Sequence, residues 1–488
     1  MRSDLIYAFR SLLRSPLFVA VAVLSLGLGI GANTAIFSLM DKVLWESLPV
    51  ERPRELVILD HDGPRNGWVD RSSMWSYPAY RGLQESQTAF AGLLAVRGES
   101  VNLTLGAGET ERAVINVVSG NFFDLLGIRP HIGRLLGADD DVTRAGHPLV
   151  VLSYGFWQQR FGAQPDVLGQ TVRLNGTPFT VIGVSERGFN GLEVGGTIDV
   201  FVPSVMLRQV TTYDALDSRS DYIFQVYGRL KPGGAREQAV ALMQPVFMNQ
   251  LEQDVAAMGS RAPSGDRWRQ ARFSLLDGHQ GTSGLRRQLA TPLKVMMAMV
   301  GAVLLIACGN LAGLLMARAV SRQKELAMRL ALGASRWQIA RQLLAESVLL
   351  GLAGGLAGLL FAAITLDLLV AQMGESAERL RQTTDFLDPS VLAFTAALSL
   401  LTALLFGLAP AIKASRNSLS SALKGESAGL SQASGQVRLR KILVTAQVSL
   451  GLVLMAAAGL FVQTLITCGR QMPGSGPKAS SSSICIRA

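Results

Sequence analysis

The stretch 316-MARAVSRQKELAMRLALGASRWQIARQLL-344 lies between two long apolar runs, and the organisation of the whole chain can be worked out from it. It contains six basic residues and only one acidic residue, Glu325. The basic residues are Arg318, Arg322, Lys324, Arg329, Arg336 and Arg341. In membrane proteins, short loops rich in lysine and arginine remain on the cytoplasmic side. The stretch therefore predicts a cytoplasmic loop between two membrane-spanning helices.

The composition of the 488-residue chain is typical of a membrane protein. Hydrophobic residues make up 49% and charged residues 17%, whereas about a quarter of the residues in soluble proteins are charged. The net charge of +10 would also suit a nucleic-acid partner, but many basic residues lie in short segments beside apolar runs. We therefore expect the lipid bilayer to be a partner and nucleic acid not to be one.

Several apolar runs are long enough to cross a hydrocarbon core, which takes about 20 residues in a helix. They lie at 17–40, 293–317, 343–370, 390–412 and 442–466. The first run follows a short basic segment, residues 1–16, and in this respect resembles a signal peptide. It is too long for a typical signal peptide, and no clean cleavage site follows it. We interpret it as a retained span.

The charges of the connecting segments predict the orientation of these spans. Residues 1–16, 318–342 and 413–441 are rich in lysine and arginine, whereas residues 371–389 contain two arginines and four acidic residues. Since positive loops stay inside, the N-terminus is predicted to be cytoplasmic. Residues 41–290 then form one large extracytoplasmic segment of a multi-pass protein in the cell inner membrane.

The extracytoplasmic segment has the mixed pattern of an α+β domain. It contains no cysteine, so it cannot rely on disulfides. An Asn-Gly pair within the β-rich stretch 171–184 predicts a hairpin. The stretches 148–162 and 222–258 each have the pattern of a strand followed by a helix. We predict an α+β fold for this domain.

Two polar segments of the same domain are predicted to lie at the surface. Residues 60–71 contain glycine and proline among polar residues, which is typical of a loop. His131 and His147 flank the acidic stretch 139-DDD-141, which fits either a cation site or, preferably, a solvated turn. No cluster of histidine, cysteine and carboxylate residues has metal-ligand spacing, so we expect no metal site.

The sequence provides no credible catalytic constellation. The segment 425-GESAG-429 matches the nucleophile elbow of hydrolases, but no histidine follows Ser427 and the surroundings are those of a polar linker. No Walker A motif is present, so we expect this chain to bind no cofactor. Two sets of glycines lie within apolar spans, where small residues allow close helix packing. These are Gly27, Gly29 and Gly31, and Gly351, Gly355 and Gly358.

Polar residues within membrane spans are costly and need a role. For Asn33 and Asn310 we favour hydrogen bonds to neighbouring helices over contact with a substrate. Glu346 lies at the predicted cytoplasmic start of the third span, where an interfacial position is the less costly explanation. We group these three residues as intramembrane polar packing residues.

The charged residues of the opening stretch share one face of a helix with 100° per residue. They are Arg318, Arg322, Glu325, Arg329 and Arg336. Glu325 can pair with Arg322 and Arg329 on that face. Gly333 is expected to end or kink this helix. An amphipathic helix of this kind can lie on a headgroup layer or dock on a cytosolic partner.

The segment 322-RQKELAMRLALGASRWQI-339 resembles the R-x-x-E-[IL]-x-x-[RL]-x-A-L-G-A coupling helix of the MacB/FtsX-type ABC transporter permeases. The layout is also similar, with one span, a large outer domain and three further spans. The outer stretches 117–141, 151–162 and 172–184 resemble the MacB-like periplasmic core domain. The closest resemblance is to the duplicated permeases of acidobacteria.

The resemblance implies an α-helical membrane protein with a large α+β extracytoplasmic domain and an FtsX-like transmembrane bundle. It also implies mechanotransmission, in which a separate cytoplasmic ABC ATPase subunit binds ATP and Mg²⁺ and drives movement of the outer domain. The residues that match the coupling motif, and that the resemblance assigns to contact with the ATPase, are Arg322, Glu325, Arg329, Leu332, Gly333 and Ala334. A dimer of permease units, or a second repeat, is expected.

The end of the chain suggests a second copy of the unit. The span at 442–466 follows the basic linker 413–441 and shares the letters SLGL with the first span. The remaining residues, 467–488, have no periodicity, so we expect a truncated or frameshifted product, with a natural tail as the alternative. Two other functions stay open. One is regulation of an extracytoplasmic cell-wall hydrolase without transport, as in FtsX-like proteins, and the other is that the chain is an inactive fragment.

Overall fold

The structure is a computed structural model in which the chain forms two compact units. We call Val43–Gln288 the sheet unit, and Met1–Lys42 together with Leu289–Ala488 the helical unit. The residues that the structure describes are 2–321 without 66–67, 107, 109, 194–197, 212–213, 260–261, 263–265 and 283, then 328, 335–372, 388–416, 444–445, 447–456, 459 and 463.

The described α-helices and β-strands are numbered separately in chain order. The helices are α1 (Arg2–Leu13), α2 (Pro16–Met40), α3 (Tyr77–Ser86), α4 (Phe122–Leu126), α5 (Tyr154–Phe161), α6 (Leu207–Val210), α7 (Arg236–Met258), α8 (Gly284–Ser321), α9 (Arg336–Gln372) and α10 (Pro389–Arg416). The strands are β1 (Leu56–Arg65), β2 (Trp68–Ser72), β3 (Met74–Trp75), β4 (Phe90–Leu105), β5 (Thr110–Val118), β6 (Pro130–Gly133), β7 (Leu149–Leu152), β8 (Thr171–Leu174), β9 (Thr177–Ser185), β10 (Val200–Pro203), β11 (Phe224–Leu230) and β12 (Phe273–Asp277).

Four helical segments among the described residues are long and apolar enough to cross a membrane. They are Pro16–Trp45, Ala290–Leu315, Trp337–Thr365 and Pro389–Gly407. Helices α8 and α9 extend beyond these segments, so residues 318–321 and 336–342 continue long helices and do not belong to a separate short one. An α-helix satisfies its own backbone and can continue past the apolar region. Most of the predicted fifth span, 442–466, lies outside the described residues.

The sheet unit is built on one twelve-stranded sheet. Its main path runs β12-β1-β11-β4-β5-β10-β7-β9-β6, while β2 pairs with β1, β3 pairs with β11, and β8 pairs with both β4 and β9. Most neighbours are antiparallel, but β5 with β10 and β7 with β9 are parallel. The predicted α+β pattern of this domain is therefore correct.

Three local predictions in the sheet unit are confirmed. Strands β8 and β9 form the antiparallel hairpin at 171–184, with Leu174 opposite Thr177. Both turn residues of that hairpin have positive φ, 47° for Asn175 and 85° for Gly176, as an Asn-Gly turn requires. Strand β7 leads into α5, and β11 leads into α7, as the other two patterns predict.

The predicted loop at residues 60–71 is wrong. Its described residues, 60–65 and 68–71, lie in strands β1 and β2, which pair antiparallel with His61 opposite Ser72. The first part of the segment also pairs with β12, where Asp60 lies opposite Ser274. Asp60 is buried and accepts hydrogen bonds from Arg71 and from Ser274 Oγ. The tertiary pairing supplies partners for these polar groups, and local composition does not reveal it.

The sheet unit has two hydrophobic cores, which form because alternate side chains of a strand point to opposite faces. On β1, Val57 and Leu59 belong to one core, while Leu56 and Ile58 belong to the other. The larger core is closed by α3 and α7 and contains Trp75, Tyr80 and Phe247. The smaller core is rich in phenylalanine and includes α4. Burial on both faces explains why central strands such as β7 and β10 are apolar throughout.

Candidate functional site

All six residues of the predicted coupling motif lie outside the described residues. They are Arg322, Glu325, Arg329, Leu332, Gly333 and Ala334. The structure does describe the chain directly before and after the motif. These flanking parts are the C-terminal turn of α8 and the N-terminal turn of α9.

The start of α9 is fixed by a capping box in the letters 335-SRWQ-338. Ser335 Oγ accepts a hydrogen bond from the backbone N–H of Gln338 at 3.2 Å. In return, Gln338 Oε1 accepts one from the backbone N–H of Ser335 at 2.8 Å. This reciprocal pair satisfies donors that a helix N-terminus otherwise leaves free. The beginning of α9 is therefore set locally, one residue after the motif ends.

The C-terminal end of α8 is attached to α2 by a cation–π contact. The guanidinium carbon of Arg318 lies 4.7 Å from the centroid of the Phe18 ring. Leu315, one turn earlier on α8, is buried in the same hydrophobic cluster as Leu12 and Leu26. A guanidinium group over an aromatic face is attracted by the negative face of the ring. The last described turns of α8 are thus packed against α2 within the helical unit.

Helices α2 and α9 approach each other closely along their glycines. A Cβ atom added at Gly31 would lie 2.7 Å from the carbonyl oxygen of Gly358, and one at Gly27 would lie 3.0 Å from Cβ of Ala357. At Gly354 an added Cβ would lie 2.6 Å from Cβ of Leu26. No side chain fits at Gly31 unless the helices move apart. The predicted role of these glycines in close helix packing is confirmed.

On a second face of α9, small residues also allow close packing against α10. A Cβ atom added at Gly351 would lie 2.8 Å from the carbonyl oxygen of Ser399 and 2.8 Å from Cβ of Ala403. A Cβ atom added at Gly407 of α10 would lie 2.7 Å from Ser347 Oγ. Helix α9 is therefore packed between α2 and α10. A displacement at its N-terminus would act on a helix that contacts both neighbours along its length.

Hydrogen bonds between helices of this bundle include two from the middle of α2. Asn33 is buried, and its side-chain N–H groups donate to the carbonyls of Gly29 at 2.8 Å and Val300 at 2.9 Å. The second of these bonds connects α2 to α8. Thr34 and Thr395 share a hydrogen bond of 3.0 Å between their hydroxyl oxygens, which connects α2 to α10. Only the residue type, threonine in an apolar span, hinted at this pair in the sequence.

The other two predicted polar packing residues have contrasting environments. Asn310 is exposed on α8. The Glu346 side chain is covered by neighbouring helices, and the residue is only 3% exposed. Next to it, Ser347 is also buried and donates to the carbonyl of Leu343 at 3.1 Å. Glu346 is therefore packed among the helices, whereas the Asn310 side chain is not.

The last two residues of the acidic stretch 139–141 do not form a solvated turn, because both carboxylates are bound by other groups of the protein. Asp140 binds the Arg134 guanidinium through two hydrogen bonds of 2.6 and 2.9 Å, which lower the pKa of this carboxyl. Asp141 accepts from the backbone N–H groups of Gly120 at 3.0 Å and Val205 at 2.9 Å. Burial raises the pKa of Asp141. Among the described residues no cluster of potential metal ligands occurs.

Two protein-family models match consecutive parts of the chain. The MacB-like periplasmic core domain matches residues 19–246, and the FtsX-like permease C-terminal domain matches residues 297–419. The chain is thus an α-helical membrane protein with a large extracytoplasmic domain. It belongs to the MacB/FtsX-type ABC transporter permeases.

Curated relatives carry names of the same class. The probable syringafactin export ATP-binding/permease protein SyfD of Pseudomonas syringae pv. tomato is 29% identical over 313 residues, which are 62% of this chain and 41% of that protein. The pyoverdine export ATP-binding/permease protein PvdT of Pseudomonas syringae pv. syringae is 26% identical over 57% of this chain and 38% of that protein. The chain spans less than half the length of these relatives.

A solved structure is also similar to the chain. The crystal structure of the periplasmic region of MacB from Actinobacillus actinomycetemcomitans covers 50% of this chain and 96% of that one, at 16% identity and a TM-score of 0.32.

Proposed function

We propose that this chain is the permease subunit of an ABC exporter that works by mechanotransmission. In this proposal a separate cytoplasmic ATPase subunit binds and hydrolyses ATP with Mg²⁺. The coupling motif at 322–334 receives that motion, and the extracytoplasmic domain moves to export or release a substrate. The names of the two relatives, which are export proteins for pyoverdine and syringafactin, support export as the activity.

The packing of α9 is the observation that carries this proposal. The helix starts immediately after the coupling motif, at the capping box of Ser335 and Gln338. It then packs against α2 and α10 through glycines that leave no room for side chains. Tightly packed interfaces pass on small displacements because they have little compressible space. A push at the motif would therefore displace α2, which leads into the sheet unit.

The charge distribution supports a cytoplasmic N-terminus. Positive segments at 1–16, 318–342 and 413–441 alternate with the four described apolar segments and the predicted fifth one so that all three fall on one side. On this orientation the motif is on the same side as an ATPase, and the sheet unit is outside. We propose a pair of permease units in the complete transporter.

Co-purification tests the proposed ATPase partner. The tagged chain is purified from its native membranes in mild detergent, and the co-eluting proteins are identified by mass spectrometry. A second sample carries Glu325→Arg and Arg329→Glu, which reverse two charges of the motif. We expect an ABC ATPase with the native chain and its loss from the double variant.

A matched charge reversal controls for general damage. Arg236 and Asp277 form an ion pair of 3.0 Å at the surface of the sheet unit. The variant with Arg236→Glu and Asp277→Arg should retain the ATPase. An ATPase that is absent with the native chain, or equally retained by both double variants, would contradict the proposed coupling role of the motif. Recovery of a cell-wall hydrolase with the native chain would favour the regulatory alternative.

A further inference from the structure

The polypeptide passes between the two units at residues 42–43 and again at residues 288–289. The first connection is the C-terminal continuation of α2, where the chain changes from an α-helix to a π-helix at Asp41–Trp45. The second connection lies within α8, which begins at Gly284 in the sheet unit. Motion that travels along the chain from the membrane helices reaches the sheet unit at these two points.

The π-helix ends at Trp45, so its last carbonyl groups have no partners further along the helix. Two side chains at or just before the second connection supply donors there. Arg286 Nε donates to the carbonyl of Val43 at 2.8 Å, and Gln280 Nε2 donates to the carbonyl of Trp45 at 3.4 Å. Arg286 also donates to the carbonyl of Gln280 at 3.2 Å. A cation at this position also interacts favourably with the negative end of the helix dipole.

The position of Arg286 is unfavourable for its own helix. It is the third residue of α8, and the first turn of α8 contains no acidic residue. A positive charge near the N-terminus of a helix is repelled by the helix dipole. When a residue is unfavourable for its own helix, a compensating interaction elsewhere is expected. The hydrogen bond from Arg286 to the carbonyl of Val43 is such an interaction.

The segment that precedes Arg286 is anchored to the sheet and to the first connection. Thr282 Oγ1 donates to Gln225 Oε1 of β11 at 2.9 Å and lies 3.2 Å from Tyr227 Oη of the same strand. The backbone N–H of Leu48 donates to the carbonyl of His279 at 2.9 Å. Leu48 is itself buried in the smaller core. The donor side of the Arg286 contact is therefore built on a rigid part of the sheet unit.

We propose that Arg286 is a positioning residue that clamps the two connections together, so that they move as one body when the membrane helices move. Its purpose rests on the proposed function, but the clamp itself does not require an ATPase to be tested. Without the clamp, each connection could move separately, and part of the displacement of the membrane helices would be lost before it reached the sheet unit.

The test is a distance measurement between the two connections. Spin labels are attached at Ser47→Cys and Thr291→Cys, which are exposed positions on the two sides, after the native cysteines Cys308, Cys468 and Cys485 have been replaced by alanine. The distance distribution is recorded by pulsed electron paramagnetic resonance in the full chain. We expect one narrow distance in the chain with Arg286 and the loss of that single distance in the Arg286→Gln variant.

Two further variants make the result specific to the clamp. Arg286→Lys keeps the charge with fewer donors and should give a width between those of the arginine and glutamine chains. Arg236→Gln removes an equal charge from the surface of the sheet unit and should leave the distance narrow. A narrow, unchanged distance in Arg286→Gln would overturn the proposal, as would equal broadening in Arg236→Gln. Absence of a co-purified ATPase would count against the proposed function alone, because the distance is measured in the isolated chain.

Discussion

The sheet unit and the helical unit are stabilised by opposite uses of side-chain size. The larger core of the sheet unit is filled by aromatic rings, and Trp75, Phe247 and Phe273 have ring centroids within 6.2 Å of one another. The helical unit has glycines at its closest contacts, where an added Cβ atom would meet backbone. In water, burial of a large apolar surface drives folding. Between membrane helices that force is weak, and close packing takes its place.

The largest effect is expected when an aromatic ring is removed from the sheet unit. Trp75 is 1% exposed and donates from Nε1 to the carbonyl of Leu59 at 3.0 Å. Trp75→Ala should lower the free energy of unfolding of this unit by about 3–5 kcal/mol because it leaves a large cavity. The measurement is the midpoint of limited proteolysis against denaturant in the full chain. Leu242→Ala, at a half-exposed site on α7, should change the midpoint little.

In the helical unit the opposite change, from small to large, should be harmful. Gly31→Leu would force α2 away from Gly358 and should cost about 1–3 kcal/mol as an overpacked contact. Gly313→Leu on α8 is the matched control, because an added Cβ there meets no atom within 4 Å. Loss of helical circular dichroism during titration with a denaturing detergent measures both. Equal midpoints for the two variants would contradict the packing role of Gly31.

A charged group in the sheet unit should make its stability depend on pH. Burial raises the pKa of Asp254 to about 6, although the carboxylate accepts hydrogen bonds of 2.9 Å from both Arg219 and Tyr222. Since its folded pKa lies above the unfolded value of 3.8, Asp254 adds stability below that value, and the contribution disappears as the pH rises through about 6. The Asp254→Asn variant lacks this pH-dependent contribution to stability. Its unfolding temperature relative to the native chain should therefore fall as the pH is lowered from about 7 to about 5.

His61 contributes a pH dependence of stability in the opposite direction. Burial lowers the pKa of His61, whose ring lies 4.1 Å from that of Trp75. A lowered histidine pKa removes stability as the pH falls below about 6.5, which opposes the effect of Asp254.

Glu252→Gln, at an exposed site on α7, is the control for Asp254→Asn and should follow the native pH profile. An identical pH profile for Asp254→Asn and the native chain would refute the proposed contribution of this carboxyl.

The smallest effect is expected for a single hydrogen bond within the helical unit. Asn33→Leu removes the bond to the carbonyl of Val300 and should cost about 0.6 kcal/mol, the average for such bonds between membrane helices. Asn310→Leu, at an exposed site on α8, should be neutral or stabilising. The same detergent titration measures both. A larger loss of stability for Asn310→Leu than for Asn33→Leu would contradict the assignment of Asn33 as the asparagine that joins the helices.

The sequence was most informative where one physical force acts along a continuous stretch. The first four spans could be predicted because a helix that crosses a bilayer needs an apolar run of a fixed length. The hairpin at 171–184 could be predicted because the Asn-Gly turn needs positive φ. The capping box at Ser335 was not predicted, although serine three residues before glutamine is a local signal.

The predictions failed where the partner of a polar group is distant along the chain. The segment 60–71 has the composition of a loop, but its first two residues, Asp60 and His61, pair with β12, which is about 210 residues further on. Asp141 is satisfied by backbone donors at Gly120 and Val205.

The sequence by itself determined that the chain is a membrane protein and where its first four apolar spans lie, because hydropathy acts locally and is read directly from residue types. Only the tertiary structure decided which glycines face a neighbouring helix, which of two asparagines is buried, and that Arg286 binds the carbonyl of Val43. These features depend on atoms brought together from distant parts of the chain. A single sequence contains the residues but not their distances.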